Sequence, residues 1–391
     1  MKKTQEILAN IFLVLITTSV TLVLLEIIAN VYLLHLADEH RFIRYASLEQ
    51  LQNSKISNAP RYTPHRYIGY YPTPDYIKGK DRHNSLGYRG DEISIPKPAG
   101  EFRIVCLGGS TTYTSEVNDY RKSYPYLLEE YLHEQGYSNV TVVNAGAGSW
   151  SSWESLINFE LRVLDLDPDM IIVYHGINDI SPRFVWPPEA YRGDNSGARA
   201  PNQTAIFMPS IFEYSTLLRI IMINMGITNS HAAFETTIDR RPATYFGTLF
   251  NQQKTAGIYP AGVFREASGR EMLASNQAGY FKRNIRNIVA IAKDRGITVV
   301  LSSFAYSPLF TDQAKVASEE YISAYEENNQ MLAATAADMD EHFFDFASQF
   351  PTEKRWYTDG RHVNEEGAQL KARLFGDFLI ANRLLTSQDN E

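Results

Sequence analysis

Apolar residues are spread along the chain in three ways. From position 8 to position 36 they run almost without interruption, preceded by Lys2 and Lys3 and followed by Asp38, Glu39 and Arg41. A helix of about 20 apolar residues crosses a bilayer, so this run predicts an N-terminal transmembrane helix. Positions 37–100 form a polar connector and lead-in rich in Tyr and Pro. From position 103 onward, short apolar runs alternate with stretches of 3.6-residue periodicity. The runs 103–107, 140–143, 170–174, 297–301 and 343–346 read as strands. The stretches 124–135, 152–164, 278–295 and 317–337 read as helices, and a last helix opens at Asn364, a good N-cap, and runs towards 385. Strands alternating with helices imply parallel βαβ units, hence a three-layer α/β/α sandwich on a five-stranded parallel sheet.

The rhythm fails between 181 and 275, where Pro, Gly and aromatics accumulate around one apolar helical patch at 211–225. A structureless loop of that length is improbable inside a compact domain. The segment reads as an insertion that covers a site, faces a membrane or meets a partner. The expected organisation is an anchor at 1–36, the connector at 37–100, and a catalytic domain at 101–386 carrying the insertion.

Within the anchor, Glu26 is the costly residue, since an ionisable group at a bilayer centre costs about 2.5–3.5 kcal/mol. Positions 8–25 carry no charge, so Glu26 is expected near the outer interface, within reach of water. A cleaved signal peptide and a buried soluble helix are the rival readings. The run exceeds the roughly 7–15 apolar residues of a signal peptide, and no small-x-small cleavage site follows. The two N-terminal lysines favour a single-pass protein with its catalytic domain on the periplasmic or extracellular side.

Composition removes some function classes. The net charge of −8 argues against a general nucleic-acid binder, which would want a basic patch to displace counterions from phosphate, so no nucleic-acid partner is expected. The one cysteine, Cys106, sits inside the first apolar run and reads as a core residue. No cofactor and no metal are expected.

In an open parallel sheet, ligands bind beyond the carboxyl ends of the strands. Four polar turns fall there: Gly108-Gly-Ser-Thr-Thr112, Asn144-Ala-Gly-Ala-Gly-Ser149, His175-Gly-Ile-Asn-Asp179, and Trp356-Tyr-Thr-Asp-Gly-Arg-His362. Ser110 is a hydroxyl in a turn that glycines let bend sharply. A hydroxyl needs a base to become a nucleophile. A phosphate-binding turn is the rival, but the P-loop lysine is missing. Asp359 and His362, three positions apart, offer a carboxylate that orients an imidazole. A metal pair is the rival there, without a second His/Glu pair at ligand spacing. Attack on an ester creates an oxyanion that needs positioned donors. The Asn178 amide and the backbone N–H groups of Ser110, Gly148 and Ser149 are the candidates. Taken alone, Asn178 reads as a turn residue that bonds its own backbone, Asp179 as a brace for its turn, and His175 as a polar loop residue, with a second candidate base as its alternative.

In this order the four blocks resemble the SGNH/GDSL hydrolase family, over roughly 103–180 and 280–385; Asn84–Gly90 resembles a lead-in of bacterial members. The resemblance implies a flavodoxin-like strand order. It assigns Ser110 as nucleophile and oxyanion donor, His362 as base and Asp359 as its support, with Asn178, Gly148 and Ser149 in the oxyanion hole. Two positions depart from the pattern. Gly109 replaces the family's Asp, which should touch turn geometry more than chemistry. Ser149 stands where a glycine is usual and is expected to crowd the acyl pocket. The implied function is ester hydrolysis through an acyl-serine, with O-acetyl groups on an envelope glycan as favoured substrate. A lipase, a thioesterase, an acetyltransferase and a non-catalytic scaffold on the same fold remain open.

Overall fold

The computed structural model describes residues 2–47, 49–50, 61–65, 68–186, 188, 191, 193, 211–228 and 267–385. Most of the insertion at 181–275, and part of the connector, lie outside them. The described parts of 65–201 and 238–391 form one compact unit, and those of 1–64 and 202–237 form another.

The larger unit is built on five parallel strands: β1 (Phe102–Gly108), β2 (Val140–Gly146), β3 (Met170–Tyr174), β4 (Thr298–Ser302) and β5 (His342–Phe344), in the order β2-β1-β3-β4-β5. This is the flavodoxin-like order. The strands read as continuous apolar runs because both faces are covered. Side chains alternate across a strand, so neighbours enter different cores. Ile104, Cys106, Met170, Ile172 and Val300 enter one core, lined by Leu128, Tyr325, Ala372 and Phe375. Val105, Leu107, Ile171, Val173, Val299 and Leu301 enter the other, lined by Phe159, Phe281, Ile285 and Val289.

The helices include α1 (Lys2–Val31), α2 (Glu39–Tyr45), α3 (Ser110–Tyr113), α4 (Tyr124–Glu134), α5 (Ser152–Asn158), α6 (Ile177–Ile180), α7 (Thr216–Asn224), α8 (Gly279–Asp294), α9 (Glu319–Met339) and α10 (Glu365–Ala381). Several depart from the periodicity. The stretch 152–164 is helical, but α5 widens into a π turn at Phe159–Val163 and ends in a 3₁₀ turn at Leu164–Leu166. The stretch 317–337 starts later, because the Ser318 side chain caps α9 by accepting from Tyr321 N. The patch 211–225 is broken where Ser215 caps α7 by accepting from Leu218 N. Phe346 opens a short helix instead of ending β5. The last helix stops at Ala381, four positions (385 − 381) early.

The strand register sets the functional rim. Gly108 pairs with Gly146 and with Tyr174, and Tyr174 with Ser302. The turns after β1, β2 and β3 therefore leave the sheet at one level.

In the smaller unit, α1 continues through a π turn, Tyr32–Leu36. The segment Gln5–Leu36, 32 residues that include an 18-residue stretch of mean hydropathy 2.6, is the one helix among the described residues that is long and apolar enough to cross a membrane.

Candidate active site

Ser110 opens α3 directly after β1. The amides of Thr112 and Tyr113 both bond to the Gly109 carbonyl, which closes the turn and presents the hydroxyl at the rim. Gly109 is required by close approach. A Cβ there would lie 2.7 Å from Asn178 Nδ2 and 2.7 Å from the Trp150 carbonyl oxygen. The sequence reading assigned this position to turn geometry; the structure ties it to the Asn178 amide as well.

His362 arrives from the turn before α10. That turn is closed by a bridge between Tyr357 and Val363 and by Thr358 N donating to the His362 carbonyl at 2.9 Å. Asn364 caps α10 by accepting from Gly367 N at 2.9 Å, which fixes where the turn ends. His362 Nε2 lies 2.7 Å from Ser110 Oγ, across 252 positions of sequence. On the other side of the ring, Nδ1 lies 2.9 Å from Asp359 Oδ2. The second carboxylate oxygen, Oδ1, accepts the backbone N–H groups of Arg361 (3.1 Å) and His362 (2.9 Å). The Arg361 guanidinium is 3.0 Å from Oδ2. Partial burial opposes ionisation of Asp359. The hydrogen bond and charge of His362 and the charge of Arg361 outweigh it and hold the carboxyl well below the usual carboxylate range. An ionised carboxylate keeps a proton on Nδ1 and leaves Nε2 free to accept one from Ser110.

Asn178, in α6, donates through Nδ2 to the Trp150 carbonyl at 2.9 Å. A side-chain amide has two N–H donors, so this bond orients the group and leaves the second hydrogen for another acceptor. Gly148 and Ser149 occupy the turn after β2, where the Tyr70 hydroxyl donates to the Gly148 carbonyl. Ser149 has φ = 63°, in the left-handed region where a side chain is strained. Ser110, Gly148, Ser149, Asn178, Asp359 and His362 are all half-buried, so the cluster is open to solvent.

His175 and Asp179 lie elsewhere. His175 Nε2 is 2.8 Å from Ser155 Oγ, and Nδ1 is 3.6 Å from Asp179 Oδ2. This second Ser–His–Asp series is fully buried, with Ser155 at 0% exposure, so no substrate reaches it. Burial pushes His175 down to about 3, which keeps it neutral. Asp179 braces the neighbouring turn by accepting from Ser152 N (3.0 Å) and Ser152 Oγ (2.6 Å). Burial still pushes its carboxyl up to about 7 against those bonds. Cys106 is buried, and its thiol is pushed up to about 12 by desolvation. Among the described residues, no group of three His, Cys, Asp or Glu side chains is gathered to hold a metal ion.

Three contributors escaped the sequence reading. Arg361 was visible inside the Asp-x-x-His block. Trp150, next to Ser149, acts through its backbone and leaves no sequence signal. Lys371 is a charged residue on the apolar stripe of α10. Its buried amine donates to the Thr111 carbonyl at 3.3 Å and lies 3.5 Å from the Tyr174 ring centre.

A parallel sheet with a hydroxyl, an imidazole and a carboxylate in hydrogen-bonded series at its carboxyl rim defines a serine hydrolase, here one acting on ester bonds. The chain belongs to the GDSL-like Lipase/Acylhydrolase family, whose profile matches residues 106–370. Among solved structures it is similar to the lipase/acylhydrolase from Enterococcus faecalis, at 13% identity and TM-score 0.41, over 72% of this chain and 96% of that one. It is also similar to a GDSL-like lipase from Bacteroides thetaiotaomicron (12% identity, TM-score 0.40, 75% and 93% covered). A third similar structure is an acetyl xylan esterase from Geobacillus stearothermophilus (12%, 0.40, 70% and 92%). No curated protein sequence matches the chain.

Proposed function

We propose that Ser110 is the nucleophile, His362 its base and Asp359 the support of that base, in an esterase that works through an acyl-serine. The observation that carries this reading is the pair of contacts on the two sides of one imidazole: 2.7 Å to the hydroxyl and 2.9 Å to the carboxylate. Ser110 Oγ bonds to the ester carbonyl carbon as its proton passes to His362 Nε2. The carbonyl π pair moves onto oxygen. That oxygen is met by the N–H groups of Ser110 and of the Gly148–Ser149 turn, and by the free hydrogen of the Asn178 amide. The C–O bond then breaks and His362 protonates the departing alcohol. Water, deprotonated by the same ring, releases the acid. The catalytic domain would run from about 101 to 386, behind an anchor at 1–36 and a connector at 37–100.

Full-length protein in detergent should release p-nitrophenol from p-nitrophenyl acetate and bind a fluorophosphonate probe at Ser110. Ser110→Ala should lose both. Unchanged turnover in that variant sinks the assignment. Turnover and labelling both missing from the native chain would point to a scaffold.

Within esters, the reading favours short acyl groups, and O-acetyl groups on an envelope glycan in particular. Support comes from Ser149, which adds a side chain where the family pattern has glycine. It also comes from an apolar N-terminal helix behind two lysines, which suits a membrane-held domain facing the periplasm or the exterior. Acetate released from isolated envelope polysaccharide is the test. No release, with rapid turnover of long-chain esters, would favour a lipase, and transfer to a sugar acceptor exceeding hydrolysis would favour an acetyltransferase.

A further inference from the structure

In the smaller unit, α7 is inverted relative to a surface helix of a water-soluble fold: its buried face carries polar side chains. Thr216 and Arg219 of α7 are each 3% exposed. Arg219 donates to the Tyr45 and Glu213 carbonyls and to Gln50 Oε1. Leu218 and Ile221 of the same helix and Met225 at its C-cap, spaced three and four apart, are 38%, 41% and 64% exposed. A surface helix in water places its apolar stripe on the core and its charges outside. Polar groups turned inward to meet one another, with apolar groups outside, are what hydrocarbon demands.

Glu26 gives the second observation. The sequence reading placed it near the outer interface; the structure surrounds its carboxylate with protein donors. Its carboxylate accepts the Ser215 hydroxyl at 2.6 Å and the backbone N–H groups of Thr216 (2.7 Å) and Leu217 (3.1 Å), and Asn30 Nδ2 donates to it at 2.8 Å. Thus an acid inside the apolar run closes the N-terminus of α7, where its charge meets the positive end of the helix dipole. At 1.5 Å per residue, Glu26 lies about 15 Å along the helix from Leu36, a depth that reaches hydrocarbon in a core about 30 Å thick. Helix α7 starts at that level. It ends where Asn224 accepts from the Tyr45 hydroxyl, beside α2 with its exposed Arg41 and Arg44.

We propose that α7 is embedded in the lipid bilayer alongside α1, with Leu218, Ile221 and Met225 against acyl chains. This rests on reading α1 as a retained membrane anchor. The occupant of the exposed stripe is lipid because α7 packs against α1, whose own apolar side chains Ile27, Val31 and Leu34 are 53%, 48% and 50% exposed. Part of the insertion into the catalytic chain is therefore a second membrane element.

The test uses the full chain in vesicles of phosphatidylethanolamine and phosphatidylglycerol. Cys106 is buried and its thiol pushed up, so an introduced cysteine reacts selectively with an environment-sensitive fluorophore. Labels are placed at Ile221→Cys and Met225→Cys, at Val20→Cys within the anchor, and at Gln349→Cys on the catalytic unit. Retained p-nitrophenyl acetate turnover certifies each variant as folded. The labels at 221 and 225 should be quenched by nitroxide-bearing lipid as strongly as the label at 20, and ignore aqueous iodide. If 221 and 225 follow 349 and respond to iodide while 20 stays in lipid, the proposal is overturned and the anchor stands. If 20 also responds to iodide, the anchor reading itself has failed and takes this inference with it. Labels at 221 and 225 shielded from both quenchers would mean that a second copy of the chain covers the stripe, which also overturns the proposal.

Discussion

Replacing Gly109 by alanine places one methyl group between the Ser110 turn and the Asn178 amide. The added Cβ would lie 2.7 Å from Asn178 Nδ2 and from the Trp150 carbonyl oxygen, where ordinary contact begins at 3.4 Å, a shortfall of 0.7 Å (3.4 − 2.7). The Trp150 oxygen is a backbone atom, which gives way less readily than a flexible side chain. The amide must swing away or the start of α3 must lift. Either motion weakens the 2.9 Å bond that orients the amide. A misplacement of about 1 Å in a reacting constellation costs on the order of 10²-fold in rate, and losing one oxyanion donor costs about 10²–10³-fold. We therefore expect Gly109→Ala to lower kcat by about 10²-fold with KM nearly unchanged, since the donor acts mainly in the transition state. Overpacking should also cost about 1–3 kcal/mol of stability. The assay is p-nitrophenyl acetate hydrolysis beside a thermal melt. Asn178→Ala should lose about 10²–10³-fold alone, and Gly109→Ala should add little on top of it, because both damage the same donor. A Gly109→Ala enzyme with native kcat, or a fully additive double variant, refutes the reasoning.

Three further outcomes follow from the same geometry. Asp359→Asn should lower kcat by on the order of 10³–10⁴-fold, because an amide no longer fixes the tautomer of His362; steady-state kinetics against native protein check this. Asp179 has a folded-state pKa raised to about 7 by burial, so its contribution to stability is full below the usual carboxylate range and is lost as pH rises towards 7. Asp179→Asn should therefore gain stability relative to the native chain as pH increases across that window, read by paired thermal melts; a constant difference in melting temperature would contradict it. Ser149→Gly removes a left-handed strain of about 1 kcal/mol and should raise stability while admitting longer acyl chains, measured on a series of p-nitrophenyl esters.

Much of this architecture was legible because burial on both faces makes parallel strands into unbroken apolar runs, and because the polar turns at their ends stand out against them. Met170–Tyr174 was readable to the residue. What escaped is non-local or carried by the backbone. Glu26 meets Ser215 across 189 positions, a pairing with no periodicity to betray it. The interruption of the helix after Asn158 is a widening of the backbone turn, which apolar spacing does not register. The demand for glycine at 109 comes from a carbonyl and an amide on two other segments, and neither is encoded near it.

The turn between Tyr357 and Val363 carries acid and base together, each bonded to the other and to the turn's own backbone. Any displacement of this corner would therefore carry both groups together. Thermal loosening of this corner would then leave the imidazole correctly tautomerised but idle, parted only from its alcohol. Such an enzyme would switch off reversibly, well short of unfolding, and would regain its chemistry whenever the corner settled back.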